Sequence, residues 1–86
     1  METIAMDIIG PLLKTPRANR YVLVISDYFT KWTESYALAY ETTTTIAEKV
    51  VSEFVSRFGV PRQIHSDQGT NFESKLMAEI CKLLGI

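Results

Sequence analysis

The stretch Phe58-Gly59-Val60-Pro61-Arg62-Gln63-Ile64-His65-Ser66-Asp67 decides the fold, because it ends a helix and starts a strand. Upstream of it, Ile46, Val50, Val51, Phe54, Val55 and Phe58 recur at helical spacing and form one apolar stripe about four turns long. Gly59 followed by Val60-Pro61 stops that helix. Thr42 to Thr45 offer several N-caps, and Thr45-x-x-Glu48 also fits a capping box, so composition alone does not choose among the threonines. Arg62 to Asp67 then reads as a short strand.

Before the helix, Thr3 to Gly10 reads as a strand ended by Gly10-Pro11. It is apolar on both parities apart from Thr3 and Asp7, which predicts a central strand buried on both faces. Leu12 to Asn19, with proline and basic residues, reads as a loop. Tyr21 to Ile25 is β-branched and strand-like, Asp27-Tyr28-Phe29-Thr30 turns the chain, and a third strand runs from Trp32 to Leu38. Short connections make these three an antiparallel meander. A second helix is predicted from Ser74 to Gly85, with Leu76, Met77, Ile80, Leu83 and Leu84 on its inner face.

The order is therefore β-β-β-α-β-α, an α/β chain. The crossover from strand three through the first helix sets strand four parallel to strand three, and hence parallel to strand one. Strand four then pairs beside strand one, and the predicted mixed sheet has the order 3-2-1-4. That arrangement brings Asp7 and Asp67 together at the carboxyl ends of parallel strands, where open sheets bind ligands.

Bulk properties bound the rest. The 86 residues make one small domain or a piece of one. The formal net charge of −1 gives no global basic face for nucleic acid. Lys14, Arg17 and Arg20 sit together in one loop, with Lys31 following the next strand, and a solvated hairpin loop is the plain reading of them. A single cysteine, Cys81, excludes an internal disulfide and a multi-cysteine zinc site, and its place in an apolar helical pattern predicts burial. There is no membrane-length apolar run and no secretory signal pattern, so an intracellular protein is expected.

Two residues stand out chemically. Asp7 interrupts an apolar strand, and a buried lone carboxylate is costly unless paired or bound to metal. A position nearer the surface, or pairing with Lys31 or Lys75, is the plainer explanation. Asp67 alone fits a turn, but beside Asp7 it makes a pair that a divalent cation would stabilise. His65-Ser66-Asp67 is not read as a hydrolytic triad, because strand neighbours alternate faces and no G-x-S-x-G elbow is present. His65 is expected as a packing or rim residue and Asp27 as a turn residue.

Several motifs occur in one order: Ala5-Met6-Asp7-Ile8-Ile9-Gly10-Pro11-Leu12, Asp27-Tyr28-Phe29-Thr30-Lys31-Trp32, Phe58-Gly59-Val60-Pro61, and His65-Ser66-Asp67-Gln68-Gly69-Thr70-Asn71-Phe72. Together they resemble the catalytic core of retroelement integrases, most closely the Ty3/gypsy long-terminal-repeat class, over essentially the full 86 residues. The resemblance implies a ribonuclease-H-like fold and DDE polynucleotidyl transferase chemistry with Mg²⁺ or Mn²⁺. It makes Asp7 and Asp67 catalytic metal ligands and Gln68, Gly69, Thr70 and Asn71 candidate DNA contacts. DNA is then the implied partner, the nucleus the implied compartment, and a homo-oligomer an implied assembly.

The family's third acid lies roughly 35 residues after the second, on a later helix, to complete a two-metal clamp. That position falls past Ile86, and neither Glu73 nor Glu79 is expected to replace it. Residues 1–86 are thus read as a partial integrase core, short of the fifth strand and the catalytic helix and inactive alone. Two other readings are a non-enzymatic folding or oligomerisation module of integrase descent, and a ribonuclease-H-like nuclease with a different third ligand.

Overall fold

The computed structural model describes residues 3–11 and 20–86. Lys14 and Arg17, and the Leu12 to Asn19 loop that carries them, lie outside the described residues. Strands β1 (Thr3–Ile9), β2 (Tyr21–Asp27), β3 (Thr33–Leu38) and β4 (Gln63–Ser66) form one sheet in the order β3-β2-β1-β4. β1 pairs antiparallel with β2 and parallel with β4, and β2 pairs antiparallel with β3. The predicted order 3-2-1-4 is the observed one.

The first helix runs from Thr43 to Phe58 in three parts: α-helical Thr43–Lys49, π-helical Val50–Val55 and a last α turn Ser56–Phe58. Thr42 is the N-cap, its hydroxyl accepting the Thr45 amide at 3.2 Å. Through the wider turn, the Ser52 and Ser56 hydroxyls donate to the carbonyls of Lys49 and Ser52, competing for the groups that build an α ladder. Gly59, at φ 85°, ends the helix in a conformation that favours glycine.

The second helix spans Thr70–Leu84, four residues earlier than the predicted start at Ser74. Gly69 supplies its N-cap at φ 99°, and the Glu73 amide donates to the Gly69 carbonyl in the first helical bond. Its end is a Schellman arrangement: the Ile86 amide donates to the Cys81 carbonyl and the Gly85 amide to Lys82, with Gly85 left-handed.

Both helices lie on one face of the sheet. Ile4, Met6, Leu23, Ile25, Leu38 and Ile64 from the strands meet Ile46, Ala47, Val50, Phe54, Leu76 and Ile80 from the helices in one buried cluster. Val51, Val55, Phe58, Met77 and Leu84 pack at its margin as their spacing predicts. Leu83, predicted inward, is instead 46% exposed. Cys81 is half-buried rather than buried.

The opposite face of the sheet, with Ala5, Asp7 and Ile9 from β1, has no helix over it among the described residues. β1 is central as predicted, but it is buried on one face only. Asp7 is therefore exposed, and the burial cost argued for it from sequence does not arise. Phe54 is the largest side chain in the core and is fully enclosed. Phe54→Ala is expected to lower the unfolding free energy by about 3–5 kcal/mol, measured by urea denaturation.

Candidate metal and nucleic-acid site

β1 and β4 run side by side through the pairs Thr3↔Gln63, Ile4↔Ile64, Ala5↔His65 and Met6↔Ser66. One residue beyond the last pair stand Asp7, within β1, and Asp67, just after β4. The sequence expected this pair to be brought together, and Asp7 and Asp67 line one open depression of about 420 Å³ with Ala5, Met6, Tyr28, His65 and Ser66.

The turn after β4 is built to display Asp67. The Ser66 hydroxyl accepts the Gln68 amide at 3.0 Å, and the Gly69 amide reaches the Ser66 carbonyl at 3.3 Å. Asp67 and Gln68 sit at the exposed crest of that turn. Glu73 secures it from the second helix: its carboxylate accepts the Ser66 amide at 2.9 Å in a half-buried setting. Sequence reasoning set Glu73 aside as a ligand and missed this bracing role. The signal was its place in the first turn of the helix that follows the acid, once that helix is started at Thr70.

Among the described residues, neither the Asp7 nor the Asp67 carboxylate has a hydrogen-bond or ion-pair partner. The pairing of Asp7 with Lys31, considered from sequence, is not found. The Lys31 ammonium instead lies 5.4 Å from the centre of the Tyr28 ring. Two exposed carboxylates beside one another on adjacent strand segments offer hard oxygen donors to a cation. That donor set fits one Mg²⁺ or Mn²⁺ with water completing the shell. No group of three metal-ligating side chains occurs among the described residues.

Gln68, Gly69, Thr70 and Asn71, the candidate DNA contacts, are all exposed and follow Asp67 directly along the chain. Thr70 and Asn71 belong to the first helical turn rather than to a free loop. A Cβ at Gly69 would meet nothing within 4 Å, so it is the backbone angle that calls for glycine there. His65 is an exposed rim residue, its ring 5.7 Å from that of Tyr28. Arg20 and Lys31 flank opposite ends of β2 and do not form one basic patch.

Asp27 organises the turn after β2, as predicted. Its carboxylate accepts the Thr30 hydroxyl at 2.7 Å and the Phe29 amide at 3.4 Å. Its amide donates to the Trp32 carbonyl, while the Lys31 amide returns to the Asp27 carbonyl. The Thr30 hydroxyl bond, followed by the Phe29 and Thr30 amides, holds the Asp27 carboxyl below the usual carboxylate range.

A four-stranded mixed sheet of order 3-2-1-4 with two helices on one face is a ribonuclease-H-like α/β arrangement. The chain belongs to the integrase core domain family, whose pattern it matches over residues 1–86. It is 37% identical over 68 residues to the Gag-Pol polyprotein of woolly monkey sarcoma virus, covering 79% of this chain and 4% of that protein. The Gag-Pol polyprotein of walleye dermal sarcoma virus is 35% identical over 81 residues, 94% of this chain and 4% of that protein. The Pol polyprotein of radiation murine leukemia virus (strain Kaplan) is 36% identical over 67 residues, 78% of this chain and 12% of that protein. The chain thus spans a small part of the length of the curated relatives it matches. These relatives are retroviral, so the kinship holds for the integrase core at large and does not single out the Ty3/gypsy class. No helix among the described residues is long and apolar enough to cross a membrane.

Two outcomes test this construction of the site. Glu73→Ala is expected to cost about 1.5–3 kcal/mol and to speed hydrogen exchange at the Ser66 amide, since it strips a charged acceptor from a half-buried donor. The lowered Asp27 value means that its contribution is present above the ordinary aspartate range and is lost as pH falls through the folded value. Below about pH 4 the Phe29 and Thr30 amide signals should therefore shift as the turn loosens, and Asp27→Asn should abolish that pH dependence.

Proposed function

We propose that the chain carries the first two acids of a DDE-type integrase site, Asp7 and Asp67, and that they share a divalent cation, Mg²⁺ or Mn²⁺, against the phosphodiester backbone of DNA. The observation that carries this reading is the β1–β4 register, by which two unpartnered carboxylates on neighbouring segments line one open depression. A divalent cation bound there would polarise a phosphate and acidify a bound water or 3′-hydroxyl. Asp7 and Asp67 supply the oxygens that hold and orient it. The exposed Gln68 to Asn71 segment lies along the bound strand, with the Thr70 hydroxyl placed for a phosphate or sugar.

Two carboxylates hold one such ion weakly, whereas the in-line displacement of the family's reaction calls for a two-metal clamp. A polypeptide of these 86 residues therefore binds cation and DNA without joining strands. The ordered motifs quoted above support descent from a long-terminal-repeat element of Ty3/gypsy type, and the retroviral relatives support the wider kinship. A DNA substrate implies work in the nucleus.

A second reading is favoured by one observation: β4 stands at a sheet edge, with its outer side unpaired among the described residues. An open edge invites a strand from another copy, and self-association through it is compatible with an integrase-derived module that does no chemistry. Calorimetric titration with Mn²⁺ separates the two. Weak binding that falls at least ten-fold in both Asp7→Asn and Asp67→Asn supports the acid-pair site, and binding unchanged by either substitution contradicts it. In a Mg²⁺-dependent joining assay on a 3′-recessed DNA end, the 86-residue polypeptide should give no joined product.

A further inference from the structure

The turn between β2 and β3 presents more aromatic surface than a turn of its length needs. Tyr28 is 55% exposed, Phe29 85% and Trp32 55%, so none of them is there to fill the core. The turn is nevertheless held rigidly. Beyond the Asp27 bonds, the Trp32 amide donates to the Thr30 hydroxyl and the Thr33 hydroxyl to the Lys31 carbonyl. The Tyr28 amide donates to the Thr3 carbonyl, which ties the turn to the start of β1. Lys31 takes a positive φ of 64°, an unusual angle for a side-chain-bearing residue. Exposed aromatics on a braced turn are suited to binding, because little side-chain or backbone freedom is left to lose.

The register shows where Tyr28 points. It stands opposite Thr3, on the same parity as Ala5 and Asp7, hence on the sheet face that no helix covers. Its ring meets His65, the β4 partner of Ala5, at 5.7 Å and an interplanar angle of 44°. Two rings splayed at that angle form a wedge rather than a closed stack, and Ala5 beneath them is small. From the Ala5 and His65 level to Asp7 is two residues of strand, roughly 7 Å. Tyr28, His65 and the acids line the same depression.

We propose that Tyr28, with His65, is a stacking platform for one unpaired nucleobase of a DNA strand end whose backbone lies at the Asp7 and Asp67 pair. This rests on the nucleic-acid reading of the site given above. Ring centres 5.7 Å apart leave no room for a base between them. The base therefore stacks on the outer, exposed face of the Tyr28 ring, which a base inside a duplex, covered on both faces, does not reach. Aromatic stacking of this kind tolerates any base, since each has a π-face. The Lys31 ammonium, on a flexible stem 5.4 Å from the Tyr28 ring centre, neutralises the phosphate next to that base. Tyr28 is a positioning residue in this scheme, because it fixes the strand end and does not touch the reacting phosphate.

The test uses a DNA duplex with a short unpaired 3′ end whose terminal base is 2-aminopurine, titrated with the 86-residue chain in Mg²⁺. Stacking should quench the 2-aminopurine fluorescence. Tyr28→Ala and Tyr28→Leu should abolish the quench and weaken binding about ten-fold. Tyr28→Phe should keep both, and a blunt duplex should bind wild type and Tyr28→Ala alike. Quenching and affinity unchanged in Tyr28→Ala would overturn the platform and leave the DNA reading intact. Failure to bind either DNA would overturn both. A loss in Tyr28→Phe equal to that in Tyr28→Ala would overturn the stacking role, because the ring is retained there.

Discussion

The parallel pairing of β4 against β1 is the constraint on which the rest depends. It exists because the first helix carries the chain from the end of β3 back over the sheet, and the buried pair Ile4↔Ile64 fixes the register. A slip of one residue would turn Ile64 out of the core and His65 into it. That penalty locks every residue downstream in place. Ser66 falls opposite Met6, the turn begins there, and Asp67 is carried to the level of Asp7. The second helix is then braced to the strand end through the Glu73 carboxylate and the Ser66 amide.

One-sided packing is the second organising fact. The helices bury Ile4, Met6, Leu23 and Ile25 on one face and leave the face of Ala5 and Asp7 open. The acids are therefore not charges forced into a low-dielectric interior. They are exposed oxygens that have no side-chain partner among the described residues. For Asp7 this is the plainer explanation that the sequence allowed, a position at the surface, and burial gives no argument for a cation there. A carboxylate in an apolar strand calls for an explanation, and here the uncovered sheet face supplies it.

The sheet order was legible because few topologies satisfy a meander followed by a crossover, and Gly59-Val60-Pro61 marks the crossover's end plainly. The first helix was legible from its stripe, although its π-helical middle left no mark in the spacing of the valines. The choice of Thr42 as cap was hidden, because four successive threonines offer the same chemistry. The second helix was started too late because Thr70 and Asn71 are poor helix formers. What begins the helix is the backbone of Gly69, with Glu73 bonded back to β4, neither of which shows in local propensity. The apolar residues on both parities of β1 suggested two covered faces, yet Ile9 is 47% exposed. Asp7, Asp67 and the Gln68 to Asn71 segment were identifiable as candidates from motif order, whereas the aromatic wedge at Tyr28 and His65 needed the register to bring it into view.

The central claim is that Asp7 and Asp67 form one cation site across two strands. Paramagnetic broadening by sub-stoichiometric Mn²⁺ in amide NMR spectra tests it most directly. The account predicts that signals around Asp7 and around Asp67 broaden together first, and that Asp7→Asn removes the effect at both places. Broadening centred on one acid alone, or at Glu34, Glu48 or Glu79 instead, would contradict it.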